Sequence, residues 1–216
     1  NKNGDKHGTW TTYYKNGQLK EEENFNSGTQ DGKWTTFHIN GQVEEEGTYS
    51  DGKKTGLWTA YNEDGNKHGT WTTYYESGEL AKEEKYKNGK QDGKWTTYYE
   101  NGQIEIEGKY NNGNKVGLWT TYNKDGDKHG TWTTYYKNGQ LREEENFNNG
   151  TQEGKWTTFH INGQIEEEGT YSDGKKIGLW RAYNEDGNKH GKWATYYENG
   201  ELAKEENYND GKKIGL

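Results

Sequence analysis

Short runs rich in aromatic residues and threonine recur along the whole chain, and each is followed by a glycine-containing turn. Trp10 to Tyr14 forms one such run, Asn16-Gly17 follows, and Leu19 to Phe25 forms a second, acidic run. Asn-Gly or Asp-Gly between two alternating runs is the strongest short-range signal for a β-hairpin. The pattern predicts an all-β fold of tandem antiparallel β-hairpins.

The tryptophan positions reveal an internal repeat. Successive tryptophans are 24, 24 and 13 residues apart, and these spacings then recur, which gives a period of 61 residues. A fixed period of this size is typical of repeat architectures. We therefore interpret residues 1–216 as a single repeat array, with 61-residue superunits that begin near residues 10, 71 and 132 and a partial one from residue 193. The predicted structural aromatic ladder consists of Trp10, Trp34, Trp58, Trp71, Trp95, Trp119, Trp132, Trp156, Trp180 and Trp193.

A two-residue turn at Asn16-Gly17 sets the expected pairing of the first hairpin. Both turn residues would need positive φ, which Asn and Gly adopt more readily than other residues. Tyr14 is then expected opposite Leu19, and Trp10 opposite Glu23. The aromatic first strand thus pairs with the acidic second strand.

The same reasoning predicts the partners of further tryptophans. Trp34 falls opposite Gly47, where its ring can lie over bare backbone. The 13-residue spacing predicts a shorter hairpin around Asp64-Gly65, in which Trp58 falls opposite Trp71. Directly opposed aromatic residues are among the better cross-strand pairs.

Each superunit is expected to hold five strands, an odd number. In a meander, an odd count reverses the strand direction from one superunit to the next, and two superunits restore it. The sequence is consistent with this, because Phe37-His38-Ile39 recurs 122 residues later as Phe159-His160-Ile161; a recent duplication of 122 residues explains the match equally well. The intervening superunit carries Tyr98-Tyr99-Glu100 instead.

Composition narrows the class of protein. The 216 residues include 10 Trp and 18 Tyr, so the apolar surface is aromatic rather than aliphatic. The net charge is −8 and no Lys- or Arg-rich run occurs, which argues against a nucleic-acid partner. No apolar run approaches the roughly 18 residues of a spanning helix, so we expect no membrane insertion. The chain has no Cys and starts in mid-pattern at Asn1-Lys2. We expect part of a longer or processed protein, and favour the cell surface or the extracellular space over the cytoplasm.

Carboxylates recur too regularly to mark a catalytic centre. The acidic runs are Glu21-Glu22-Glu23, Glu44-Glu45-Glu46, Glu143-Glu144-Glu145 and Glu166-Glu167-Glu168. Paired carboxylates act as the catalytic acid and base of glycosidases. An acidic run that recurs in almost every unit is instead typical of a strand face exposed to solvent. We expect no catalytic residue and no cofactor; a cationic partner or bound cations are the alternative.

The histidines and one Asp-Gly turn give no metal site at the level of sequence. His7, His68, His129 and His190 recur once per superunit, and the register places His68 opposite Tyr61. One His per superunit cannot complete a tetrahedral site, so we interpret these and His38 and His160 as structural. The turn from Asn123 to Lys128 resembles a calcium loop but lacks its final Glu.

A second set of tyrosines is the candidate interaction surface. In the predicted register, Trp10 and Phe25 share one face of the first hairpin, while Tyr13 points to the other. Tyrosines on that second face are less needed for packing and are available to a protein partner or a sugar ring. The set comprises Tyr13, Tyr74, Tyr98, Tyr135 and Tyr196.

The repeat resembles the MORN repeat in its bacterial variant. Tyr110 to Trp119 carries the skeleton Tyr-x-x-Gly-x-x-x-Gly-x-Trp, and Lys94 to Gly102 is similar to the form found in the YwqK-like antitoxin group. The resemblance covers nearly the whole chain. It implies an elongated, twisted antiparallel sheet of hairpins with no catalytic residues, and a role in protein binding, in scaffolding, or as an antitoxin or immunity protein.

A second resemblance supplies an alternative. Trp followed by Tyr-Tyr and a glycine turn also resembles choline- and glucan-binding cell-wall repeats, which hold ligands between aromatic rings. Taken together, we predict a non-enzymatic repeat scaffold that contacts protein partners or copies of itself within a surface or extracellular fibre. A glycan-binding module and an antitoxin are the alternatives.

Overall fold

The computed structural model describes residues 4–215, which form strands and turns and contain no helix. The first superunit contains β1 (Gly8–Tyr13), β2 (Leu19–Asn26), β3 (Thr29–Gln30), β4 (Gly32–Phe37), β5 (Val43–Ser50) and β6 (Lys53–Ala60). The second contains β7 (Gly69–Tyr74), β8 (Leu80–Lys87), β9 (Lys90–Tyr98), β10 (Ile104–Asn111) and β11 (Asn114–Thr121). The third contains β12 (Gly130–Tyr135), β13 (Leu141–Asn148), β14 (Thr151–Gln152), β15 (Gly154–Phe159), β16 (Ile165–Ser172) and β17 (Lys175–Ala182). The partial one contains β18 (Gly191–Tyr196), β19 (Leu202–Asn209) and β20 (Lys212–Ile214).

The strands form tandem antiparallel hairpins, which confirms the predicted fold class. All 20 belong to one sheet in which neighbours along the chain pair. The pair β3 and β4 occupies one strand position, because its counterpart β9 is continuous. Each superunit therefore holds five strand positions, as the spacing predicted.

The chain divides into two compact units. One comprises the chain up to Gln103 together with Tyr110–Gly113, and the other comprises Ile104–Lys109 together with the chain from Asn114 onward. Their joint action as a single array stays a prediction.

The predicted turn of the first hairpin is wrong in detail. Leu19 pairs with Tyr13 rather than with Tyr14. The Tyr14 N–H donates to the Gln18 carbonyl (2.8 Å), and its carbonyl accepts from the Gly17 N–H (2.9 Å). Gly17 alone has positive φ in this turn (88°). The loop therefore holds three residues and ends in a glycine bulge, instead of the two-residue turn.

A second irregularity restores the predicted register farther from the turn. Lys20 is an extra residue on β2, because the pairing shifts between Thr12 and Tyr13. Beyond it Trp10 pairs with Glu23, as predicted. The longer loop and the bulge displace the register in opposite directions, so they cancel.

The predicted pair of Trp58 with Trp71 is also wrong. Trp58 pairs with Thr72, so the adjacent Trp71 projects from the opposite face of the sheet. The turn is one cause: the Asn62 N–H donates to the Asn66 carbonyl (2.9 Å), which leaves three residues in the loop. Between the Tyr61–Lys67 bridge and Trp58, the pairing shifts by two further residues. A loop of odd length changes which alternate side chains share a face.

Equivalent tryptophans of successive superunits therefore lie on opposite faces within a unit. Within the first unit, strand direction reverses from the first superunit to the second, while the strands continue in the same order across the sheet. A rotation that superimposes one superunit on the next must therefore exchange the two faces of the sheet. In the first unit, Trp34 packs against Trp58 on one face. Trp71 and Trp95 are both aligned with Glu84 and project from the other.

The core of each repeat is a tryptophan that lies over a glycine. Trp34 pairs with Gly47 as predicted, but the ring over Gly47 belongs to Trp58. Trp58 is 2 % exposed. It contacts Trp34 (5.2 Å between ring centroids) and the edge of Tyr49 (5.0 Å), and the Lys54 ammonium lies 3.7 Å from its ring centroid. Trp119 over Gly108 and Trp180 over Gly169 repeat this arrangement.

Candidate functional site

A groove of about 510 Å³ opens on the second unit between the β15–β16 turn and the β17–β18 turn. We call it the acidic groove. Its principal lining residues are Trp156, His160, Glu166, Glu167, Tyr183, Glu185 and His190. They converge because antiparallel strands bring alternate turns to the same end of the sheet, so residues far apart in sequence become neighbours.

Two hydrogen bonds tie the turns together. His160 Nε2 lies 2.9 Å from the Tyr183 carbonyl oxygen, and it must donate because a carbonyl only accepts. The Asn162 amide donates to the Glu185 carbonyl (2.7 Å). These bonds connect the two turns that flank the acidic groove.

Carboxylates dominate the charge of the acidic groove. Glu166 and Glu185 are exposed, and Glu167 is half-buried with Lys176 Nζ at 3.9 Å. Burial, reinforced by the negative charge of Glu168, raises the pKa of the Tyr183 hydroxyl above its usual 10.0. Tyr183 therefore remains a neutral hydrogen-bond donor. The groove suits a cationic group that can also lie against an indole ring.

The first unit carries the same residues. All 11 lining residues have an identical counterpart 122 positions earlier. His38 Nε2 again meets the Tyr61 carbonyl (2.8 Å), and the Asn40 amide again donates to the Glu63 carbonyl (2.7 Å).

The intervening superunit lacks this chemistry. At the equivalent positions it has Tyr99, Ile106 and Lys124, which replace one histidine and two carboxylates. The recurrence of Phe-His-Ile was the sequence signal for this difference, although our interpretation of His38 and His160 as purely structural gave it no weight.

A pair of carboxylates lies next to the acidic groove. The Trp156 indole N–H donates to Glu143 Oε1 (3.0 Å). Burial raises the pKa of Glu145 above 4.5, and the neighbouring charge of Glu143 adds to the shift. In the second superunit a lysine stands at the position of Glu143, and Lys82 Nζ lies 3.0 Å from Glu84 Oε1.

Glu143→Lys is therefore expected to stabilise the protein near neutral pH by about 1 kcal/mol. The folded wild type holds the Glu145 proton more tightly than the unfolded chain, so its stability falls as pH rises from the ordinary 4.5 through the raised pKa. The substitution should reduce that loss, because it replaces the repelling charge of Glu143 with an attracting one while Glu145 stays partly buried. Urea unfolding of both proteins at acidic and neutral pH measures it, and an equal change with pH in both would contradict the assignment to Glu145.

The candidate interaction tyrosines differ in exposure. Tyr13 is 60 % exposed, whereas Tyr74, Tyr98, Tyr135 and Tyr196 are half-buried. The edge of Tyr196 packs on Trp180 (6.5 Å between centroids), and the pairing of Tyr74 with Gly56 puts it on the face of Trp58. Tyr74 and Tyr196 thus lie on the face opposite Trp71 and Trp193 of their own strands, and that face also carries the tryptophan of the preceding strand. Partner binding by the set stays a prediction.

His68 and the Asn123 turn were the features considered for metal binding. His68 does not lie opposite Tyr61, whose bridge partner is Lys67, because of the three-residue loop. The Asn123 side-chain oxygen accepts the N–H groups of Asp125 (3.0 Å) and Asp127 (2.9 Å), so it closes the turn. Among residues 4–215, no three His, Asp or Glu side chains are arranged to hold a metal ion. The same residues include no helix able to cross a membrane.

Comparison with known families decides the classification. The model described as MORN repeat variant matches residues 6–27, 30–51, 67–88, 91–112, 128–149, 152–173 and 189–210. The chain belongs to the MORN repeat variant family. Each MORN match begins before a tryptophan and ends after the following acidic strand, so it coincides with one long hairpin.

Two solved structures also align with this MORN chain. The crystal structure of TcdB2-TccC3 aligns at 12% identity with a TM-score of 0.19, and it covers 93% of this chain and 14% of that chain. The crystal structure of TcdB2-TccC3-Cdc42 aligns at 13% identity with a TM-score of 0.17 and the same coverage. The MORN chain thus spans about 14% of the length of these chains. No curated protein matches it.

Proposed function

We propose that this MORN protein is a non-enzymatic scaffold that binds a partner protein, and that the acidic groove receives a cationic segment of that partner. The observation that carries the proposal is the identity of all 11 groove residues in superunits one and three. The intervening superunit keeps the hairpin frame and changes the charge.

The chemistry of the groove favours binding over catalysis. Glu166 and Glu185 are exposed to solvent, and the proton-bearing nitrogen of His160 is used to tie two turns together. Neighbouring Lys or Arg side chains of a partner need only the charge and the half-buried ring of Trp156.

A protein partner is better supported than a sugar. Sugars stack on open aromatic faces, and the ladder tryptophans Trp58 and Trp180 are each 2 % exposed; of the ladder, Trp10 has an open ring, at 46 % exposed. Self-assembly into a fibre and an antitoxin role stay narrower predictions. Light scattering over a concentration series, followed by electron microscopy, tests the fibre directly, because only assembly raises the mass with concentration.

The charge of the acidic groove can be tested with a fluorescent oligo-arginine peptide. Glutamine at Glu44, Glu63, Glu166 and Glu185 is expected to weaken binding about tenfold, since each loses a carboxylate that faces the peptide. The matched control places glutamine at four other exposed positions, Glu76, Glu79, Glu198 and Glu201. It removes the same number of negative charges outside the acidic groove. Anisotropy at constant ionic strength measures both.

Two outcomes would count against the proposal. Equal weakening in both variants would assign the binding to overall negative charge. No measurable binding by the wild type would remove the cationic partner. Circular dichroism of both variants checks that the sheet is retained.

A further inference from the structure

We propose a second binding site of opposite charge, in which the protein binds a partner segment that carries a leucine-like side chain next to carboxylates. It lies between the β12–β13 turn and the β15–β16 turn of the second unit, and we call it the tip groove. It measures about 460 Å³ and is lined by Tyr135, Tyr136, Lys137, Asn138, Arg142 and Ile161. This site goes beyond the proposed function, because it takes a different ligand at a different place.

A hydrogen bond between neighbouring hairpins frames the tip groove. The Tyr136 hydroxyl donates to the Phe159 carbonyl (2.7 Å), which ties one hairpin to the end of the next. Ile161 stands in the neighbouring turn and is 56 % exposed. An isoleucine at the tip of a turn adds nothing to the core, so its exposed surface is available for contact.

The rim of the tip groove is basic. Lys137 and Arg142 are both exposed, and the guanidinium carbon of Arg142 lies 5.9 Å from the centroid of the Tyr136 ring. The chain as a whole has a net charge of −8, whereas the lining of the tip groove has two cations and no acidic residue. The groove is therefore locally positive on an acidic protein. An apolar floor with a cationic rim matches an aliphatic side chain flanked by carboxylates.

The internal repeat carries the residues of the tip groove a second time. In the first unit the corresponding positions hold Lys15, Lys20 and Ile39, and Ile39 is 57 % exposed. The Tyr14 hydroxyl there donates to the Phe37 carbonyl (2.6 Å). The basic rim, the isoleucine and the tyrosine bond thus occur together twice.

The second superunit keeps the frame and reverses the chemistry. The Tyr75 hydroxyl donates to the Tyr98 carbonyl (2.6 Å), in the same geometry. The three variable positions there are Glu76, Ala81 and Glu100. All three change together, from basic and aliphatic to acidic and small. The change alters recognition and leaves the hairpin intact.

The acidic groove and the tip groove exclude each other's ligands. Carboxylates that suit the tip groove are repelled by Glu166 and Glu185, and a cationic segment is repelled by Lys137 and Arg142. Failure of one proposal therefore leaves the other standing.

The test uses a fluorescent peptide of alternating glutamate and leucine, with a glutamate–serine peptide as the probe for charge alone. The wild type should bind the first at least about tenfold more tightly than the second. Ile39→Glu with Ile161→Glu should abolish that preference, because it removes the apolar contact. Glutamate is chosen because the chain itself has glutamate at the equivalent position 100. Lys20→Ala with Arg142→Ala should weaken binding, because it removes one cation from each basic rim. Alanine is chosen because the chain itself has alanine at the equivalent position 81.

A gain of function completes the test. Glu76→Lys, Ala81→Arg and Glu100→Ile together should add a further tip groove to the second superunit and raise the bound peptide from two to three per chain in isothermal titration. Equal binding of both peptides, unchanged binding by the isoleucine variant, or an unchanged stoichiometry would overturn the proposal. So would concentration-dependent mass that the isoleucine variant abolishes, since the occupant would then be a second copy of the chain.

Discussion

Gly47→Ala is expected to lower the free energy of unfolding by about 3 kcal/mol. A Cβ atom at Gly47 would overlap the Cδ2 and Cε2 atoms of Trp58. Trp58 is 2 % exposed and is held by Trp34 and Tyr49, so its ring cannot swing away without opening the core. Urea unfolding followed by tryptophan fluorescence measures the loss.

Two controls separate this clash from other effects of the methyl group. Gly41→Ala introduces a methyl group with no neighbour within 4 Å, and its positive φ of 86° should cost about 1 kcal/mol. In a Trp58→Leu background, Gly47→Ala should cost much less than in the wild type, because the two changes share one contact. Additive losses in this double-mutant cycle would show that the ring does not explain the glycine.

The sequence predicted that Gly47 serves an aromatic ring, but it assigned the wrong tryptophan. Cross-strand pairing on β4 and β5 correctly places Trp34 opposite Gly47. The ring that lies over Gly47 comes from β6, the next strand. Pairing rules specify neighbours within one hairpin, whereas the direction in which a large ring tilts depends on packing between hairpins.

Turn length explains the remaining errors. Asn16-Gly17 predicts a hairpin equally well with two or three loop residues, and the structure has three. In the first hairpin a bulge at Lys20 compensates, so Trp10 still meets Glu23. In the short hairpin Trp58 pairs with Thr72 instead, and Trp71 moves to the other face.

The two grooves were beyond the reach of sequence pattern for a related reason. Both lie between turns of neighbouring hairpins, for example between Asn162 and Glu185, which the meander brings together at one end of the strands. The sequence showed that His38 and His160 differ from Tyr99. It did not show which distant carboxylates stand beside them.

The ladder tryptophans are expected to differ sharply in their contribution to stability. Trp71→Ala should cost about 3–5 kcal/mol, the range for deletion of a buried Trp or Phe. Trp71 is 7 % exposed and lies between Tyr61 (5.4 Å between centroids) and Tyr86 (5.3 Å). Its indole N–H also donates to the Ala60 carbonyl (2.8 Å), so the substitution removes that hydrogen bond and leaves the carbonyl with the His68 N–H as its donor.

Trp10→Ala is the matched control, because Trp10 stands at the equivalent repeat position. It is 46 % exposed, and its ring contacts Phe25 edge-on at 6.4 Å and the Lys6 ammonium at 4.8 Å. With half of its surface already in water, its loss should cost about 1 kcal/mol. Equal losses at both positions, in urea unfolding followed by circular dichroism, would mean that the ladder is uniform, as spacing alone implies. Unequal losses would assign the cohesion of the first unit to tryptophans that bridge consecutive superunits, since Trp71 bonds to β6 of the superunit before its own.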